Sequence, residues 1–324
     1  MGTLFASTVE TKSMSTEASR DYNMKKVYTI LFFISLSFFA LSILALAVYG
    51  LNFGVDFKGG TVLEVEFSAN RPEITELQKA ISDKFPDLET SINYAGDRGM
   101  IMRTSEISEE QHQQILNVFK EHSDPPAGEA GMGKLEEKRF DSIGPAIGQE
   151  LRIKSFKAIG IVLIVIAVYM TIVFRKLSRT LSLLAMNLAT LVALLHDIII
   201  PMGVFAVLGH YYNVQISGVF VAAALTILGY TVSDKVVIFD RVRENILRGD
   251  KDNLGDIVHK SVRQTLVRSI NNTLTVVFSS VAIYLFGGES IKYFALALIL
   301  GISLGAYSSI FVSSPLLVWW SKKK

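Results

Sequence analysis

Asp197 and Asp234 lie well inside long apolar stretches of a 324-residue chain. A charged side chain at a bilayer centre costs at least about 2.5–3.5 kcal/mol. A carboxyl held there can gain and lose a proton, because low dielectric disfavours its charged form while a nearby cation favours it. Asp234 sits six residues, about 9 Å along a helix, inside the boundary that Asp240 and Arg241 mark. Those two stand where long side chains snorkel to water, and read as border residues. Arg268 falls near the start of the following apolar stretch, at a similar depth. From it Asn272, Thr275 and Ser279 recur at helical spacing along one face. Gly218, Ala222, Gly229 and Ser233 give the Asp234 stretch a small-residue face that admits a close helix neighbour. Two uses of Asp234 and Arg268 follow: a static ion pair holding two helices in register, or an acid that alternately pairs with and releases the arginine as it exchanges a proton. Asp197 is about 16 residues, or 24 Å, from the start of its own stretch. Pro201, one turn on, loosens that helix, so Asp197 is expected to face an outer water-filled cavity. His196, about 100° around the same helix, reads equally as a relay member or a packed histidine.

Other chemistries are excluded. With no cysteine there is no disulfide, thiolate metal site or thiol nucleophile. The five histidines are too scattered for a metal motif, so no metal is expected. No G-x-x-x-x-G-K-[ST] loop is present, so the chain is expected to be neither an ATPase nor any other enzyme, and to need no cofactor. An ion gradient is the available energy source, worth about 2.3 kcal/mol per charge moved through 100 mV. The net charge of +2 gives no reason to expect nucleic acid.

The elements that must hold these residues are read from the hydrocarbon, which makes up 50% of the chain against 19% charged residues. Six runs are long enough to span a bilayer, which takes roughly 20 residues. They cover 25–51, 156–174, 181–208, 216–239, 266–286 and 293–320. The first exceeds the 7–15 residues of a signal-peptide core and is read as a retained span. Gly301 and Gly305 permit close packing of the last. Lysine and arginine crowd alternate connections and are nearly missing from the others, so both termini are expected to be cytoplasmic, with a polar tail over 1–24 and a basic end over 321–324. Residues 52–154 then form an external domain, with 19 acidic against 12 basic residues. Its pattern predicts strands over 61–67, 90–94, 100–104 and 135–140 and helices over 74–85 and 107–121. That βαββαβ order is the ferredoxin-like sandwich. Residues 124–133, rich in proline and glycine, read as a mobile connector.

Five stretches in this order resemble the SecF family of bacterial protein-export membrane subunits, related to the RND superfamily of proton-driven transporters. They are Gly54-Val-Asp56-Phe-Lys-Gly59-Gly60-Thr61, Ile143-Gly144-Pro145-Ala-Ile-Gly148, Leu195-His196-Asp197, the run from Gly229 to Glu244 containing Asp234, Asp240 and Arg241, and the run from Gln264 to Thr273 containing Arg268. The resemblance covers residues 25–324. It implies an α-helical membrane protein, an RND-like half of six transmembrane helices with an external ferredoxin-like α/β domain between the first two. It further implies pairing with SecD, association with the SecYEG channel, contact with a translocating unfolded polypeptide and with membrane lipid, and use of the proton-motive force late in export. The implied location is the bacterial cytoplasmic (inner) membrane, with residues 52–154 external or periplasmic. Asp234 and Arg268 align with the family's proton-pathway acid and arginine, and the paired acid of SecD is absent from this chain. Two residues depart from the pattern: Ser233 stands where the family usually has Asn, and Lys235 where it has Thr or Ser. Lys235 is expected either to hold Asp234 ionised or to snorkel inward, which bears on whether the coupling ion is H+ or Na+. The polar tail has no counterpart. Two other readings remain: a self-contained permease for small molecules or lipids, and a non-transporting scaffold of the channel complex.

Overall fold

Without water, each apolar run must satisfy its backbone polar groups internally, which leaves helices as the spanning form. The computed structural model describes residues 27–68, 70–123, 135–175, 182–249 and 252–321. The polar tail, the connector over 124–133, most of the basic loop after the second span and the terminal lysines lie outside the described residues. In chain order come α1 (Val27–Tyr49), the short α2 (Val55–Lys58), β1 (Gly60–Phe67), α3 (Ile74–Lys84), β2 (Ser91–Ala95), β3 (Gly99–Thr104), α4 (Glu109–Glu121) and β4 (Leu135–Ile143). Then follow α5 (Pro145–Val173), α6 (Leu183–Tyr212), α7 (Gly218–Leu247), α8 (Leu254–Phe286) and α9 (Glu289–Ser308), which passes through a π-helical turn (Ser309–Ser313) into α10 (Ser314–Trp320). Among the described residues, six helical units are long and apolar enough to cross a membrane: α1, α5, α6, α7, α8 and the α9–α10 unit.

Three of these helices outrun their apolar cores. α5 begins at Pro145, where proline suits a first turn, well before the apolar run at Phe156. α7 continues through Asp240 and Arg241 to Leu247. α8 begins at Leu254, capped by Asn253, whose side chain accepts from the Asp256 N–H at 3.1 Å. α6 ends on Asn213 at φ 54°, a left-handed residue that stops a helix.

Outside the spans, β1 pairs antiparallel with both β3 and β4 in a sheet ordered β2-β3-β1-β4. Alternation divides its faces. Leu63, Val65, Phe67, Met100 and Met102 pack with Leu77 and Ile81 of α3 and with Ile115 and Phe119 of α4. Glu64, Asn93 and Arg103 point the other way, into a cavity of about 400 Å³ between the sheet and the outer ends of α6 and α7. The fold is the ferredoxin-like sandwich, preceded by α2, which four residues were too few to announce by periodicity.

Within the bundle α7 and α9 pack closely. A Cβ added to Gly301 would meet Ile227, and one added to Gly305 would meet Thr231. The GxxxG spacing is thus spent inside the chain. Gly203 of α6 similarly leaves room for Ser42 of α1.

Candidate functional site

Asp197 sits mid-helix in α6, 14 residues from Leu183 and 15 from Tyr212. It faces no cavity: it is 0% exposed, and Lys235 of α7, also 0% exposed, donates from Nζ to its Oδ2 at 2.8 Å. The expectation of an outer water-filled position is overturned: a cation on the adjoining helix, not water, supplies the counter-charge. Of the two expected fates of Lys235, the inward reach is overturned. Its side chain neither bonds Asp234 nor reaches inward, but turns to Asp197 and also donates to the Thr231 carbonyl at 3.3 Å. His196 is packed and hydrogen-bonded at once: Nε2 lies 2.6 Å from the Ser35 hydroxyl of α1, Nδ1 lies 3.3 Å from Asp197 Oδ1, and the ring stacks on Phe39. Ser35, His196, Asp197 and Lys235 therefore form one buried chain across three helices. The helix ends, which the apolar runs did not show, bring the two level: Lys235 lies 12 residues from Leu247, close to the 14 that separate Asp197 from Leu183.

Asp234 points away from that chain, toward α8, and is also buried. Its Oδ1 accepts from the Ser269 hydroxyl at 3.0 Å, while Oδ2 has no hydrogen-bond partner. Thr273, one turn along α8, lies against the same carboxyl without completing a bond. Among the described residues no ion pair joins Asp234 to Arg268, so the static pair is not what holds α7 to α8. Arg268 is on the exposed side of α8, because one residue of helix rotation brings Ser269 inward in its place.

One stripe of that exposed side is polar, beside the exposed Val267, Ile270, Leu274 and Phe278. Arg268, Asn271, Asn272, Thr275 and Ser279 on α8 stand beside Gly218, Ala222, Thr226, Gly229 and Ser233 on α7, all exposed. Tyr230 joins the two helices by donating to the Asn272 carbonyl at 2.8 Å. Among the described residues, nothing fills the space over Gly229. An arginine and two asparagines midway along a membrane helix are tolerated against protein or water, not against lipid.

A second site joins the spans to the sandwich domain. Asp56 Oδ2 accepts from the Gly218 N–H at 2.6 Å, placing a carboxylate on the first turn of α7, where orphan donors and the helix dipole favour it. Backbone bonds reinforce this link: Gly54 N–H donates to Ile216 at 2.8 Å and Ile216 N–H to Asn52 at 2.7 Å. Gly59 has φ 80° and ψ 165°, a region open essentially to glycine, and a Cβ there would stand 2.6 Å from the Pro145 Cα. A Cβ on Gly148 would come 2.8 Å from the Gly59 nitrogen. Gly144 is the N-cap before Pro145. Gly60, at φ 124°, starts β1 against the Thr104 carbonyl. The two glycine motifs thus meet backbone to backbone at the root of α5 and β1. Asp240 and Arg241 are in neither site; they pair locally on α7, with Arg243 at 2.8 Å and Glu244 at 2.5 Å.

Six spanning helices, a buried ionisable cluster and a sandwich domain clasped between the first two spans define a multi-pass membrane protein of the SecD/SecF class. The family described as "Protein export membrane protein SecD/SecF, C-terminal" matches residues 127–323, and the "SecD/SecF GG Motif" matches residues 44–70. The "Protein translocase subunit SecF" of Thermobaculum terrenum is 37% identical over 290 residues, covering 86% of this chain and 87% of that protein. That of Synechocystis is 35% identical over 297 residues, covering 87% and 89%. The crystal structure of SecDF from Thermus thermophilus, titled a translocon-associated membrane protein, superposes with a TM-score of 0.75 at 29% identity. That match covers 90% of this chain and 38% of the SecDF chain, so this chain spans well under half of it. The chain belongs to the SecF family.

Proposed function

We propose that this chain is the SecF half of a SecD–SecF pair that couples the proton-motive force to late steps of polypeptide export through the SecYEG channel. It acts in the bacterial cytoplasmic membrane, with both termini cytoplasmic and the sandwich domain outside, as a transport subunit without chemistry of its own. The observation that carries the reading is Asp234: a buried mid-membrane carboxyl with one oxygen bonded to Ser269 and the other unpartnered, beside a polar face that needs protein cover.

A proton arriving from outside binds the free oxygen. Neutral Asp234 then accepts less strongly from Ser269, since hydrogen bonds to charged acceptors are roughly twice as strong as those to neutral ones. α7 and α8 readjust, and Arg268, on the adjoining exposed face, answers to an acid on the partner. Movement of α7 reaches the outer domain through Gly218 and Asp56, because the rigid glycine junction passes a shift at the helix end to β1 and α5. A tilting domain would hold or release an emerging polypeptide. Edge strands β2 and β4 offer backbone pairing that tolerates any sequence. Replacing Asp234 by Asn and measuring gradient-dependent export in reconstituted vesicles tests the reading.

A further inference from the structure

Lys235 is a cation buried in mid-membrane, and the mechanism above has no use for it. Its ammonium carries three donors and no acceptor; two are met, by Asp197 Oδ2 at 2.8 Å and the Thr231 carbonyl at 3.3 Å. Asp197 in turn holds two bonds, one to each oxygen: Lys235 on Oδ2 and the His196 ring on Oδ1 at 3.3 Å. The far ring nitrogen of His196 is 2.6 Å from Ser35. With Nδ1 carrying the ring proton and Nε2 accepting from the serine, a neutral imidazole is satisfied at both ends and Asp197 receives donors only. A carboxyl surrounded by donors has no direction in which to point a proton of its own. Asp234 is the opposite case: it adjoins Lys235 on α7, but its Oδ2 has no hydrogen-bond partner.

We infer that Lys235 divides the roles of the two intramembrane acids, fixing Asp197 as a permanent carboxylate and leaving Asp234 as the proton-exchanging one of the two. The inference rests on the reading of Asp234 as proton carrier and deepens it. Lys235 acts as a positioning residue: it sets the charge of Asp197 and so keeps a second proton out of the cycle. The titratable and charged groups around the pair are His196 on α6 and Asp234 on α7. Ser35 on α1 contributes a hydroxyl, and the packing that sets Gly301 on Ile227 and Gly305 on Thr231 brings the uncharged Ser309 of the π turn to the level of Lys235. No other cation is bonded to Asp197 among the described residues.

The test is infrared difference spectroscopy between acid and neutral buffer on the native complex in lipid nanodiscs, reading the carbonyl band of protonated carboxylic acids in the membrane interior. The native complex should give one such band from this chain, identified by its loss in Asp234→Asn. Lys235→Met should add a second band, and Asp197→Asn combined with Lys235→Met should remove the second and keep the first. The double variant also guards against misfolding, because exchanging a whole buried ion pair for neutral side chains is tolerated better than removing one partner. Lys235→Arg, which keeps a cation, should show the native single band. A Lys235→Met spectrum without the second band, or a native band that survives Asp234→Asn and disappears when Asp197 is replaced, overturns the inference. A native spectrum with no band sensitive to either Asp234 or Asp197 instead overturns the proton-carrier reading, and the two failures are thereby told apart.

Discussion

Asp56, at the exit of the first span, holds the first turn of the fourth: its carboxylate takes the Gly218 N–H at 2.6 Å across 162 positions of chain. α7, which carries Asp234, is thus tied at its outer end to the segment that opens the sandwich domain. A bond of this kind, with a charged acceptor, contributes about 1.5–3 kcal/mol. Asp56→Ala should lower thermal stability of the purified complex by that order and remove gradient stimulation of export, while Asp56→Asn, which keeps an acceptor oxygen, should retain part of both. Equal stimulation in Asp56→Ala and native vesicles would show that the tie carries no motion.

The glycine junction makes a harsher prediction. Gly59→Ala places a side chain in a backbone region costing about 1–3 kcal/mol and drives its Cβ onto Pro145. Gly148→Ala meets the Gly59 backbone from the opposite side. Either variant should accumulate poorly in membranes, whereas Gly96→Ala, at a positive φ with open space around it, should suffer only the milder conformational cost. Pulse-chase measurement of protein lifetime separates them.

The exposed polar face predicts where the partner chain docks. The chain has no cysteine, so single introduced cysteines report without background. Gly229→Cys and Thr275→Cys should form crosslinks to SecD, and Ile164→Cys, on the exposed apolar side of α5, should not. Crosslinking of Ile164→Cys alone would put the partner on the other side of the bundle.

The sandwich domain has a local prediction of its own. Ser108 and Gln111 form a reciprocal cap at the start of α4, so Ser108→Ala should cost about 0.5–2 kcal/mol. Beside them, the Gln113 amide, assisted by His112, holds the Glu109 carboxyl below the usual carboxylate range. The folded value is the lower one, so its contribution is present above the unfolded value, about 4.3, and fades as pH falls through the folded value. Glu109→Gln should therefore flatten the acid limb of the melting-temperature profile; an unchanged limb would remove this role.

The external domain was legible because alternation in 61–67 and helical spacing in 74–85 report burial directly. Its β-α-β-β-α-β order then admitted the observed sheet. Residue pairing inside the membrane was less so. Lys235 follows Asp234 in the chain, yet successive helical residues diverge by about 100°, and only packing decides which of two acids a long side chain meets. Arg268 and Ser269 pose the same problem. Both suit a carboxyl, and polarity alone does not separate the face of α8 that meets α7 from the face left for another chain. The small-residue stripe of α7 has the same ambiguity, whereas Gly301 and Gly305 proved internal.

The central claim is that Asp234 carries the proton that drives export. Gradient-dependent completion of export, measured in vesicles containing the channel, SecD and either this chain or its Asp234→Asn variant, tests it directly. The variant should assemble normally and support the ATP-driven phase, yet gain nothing when a proton gradient is imposed. Stimulation equal to that of the native chain would contradict the account.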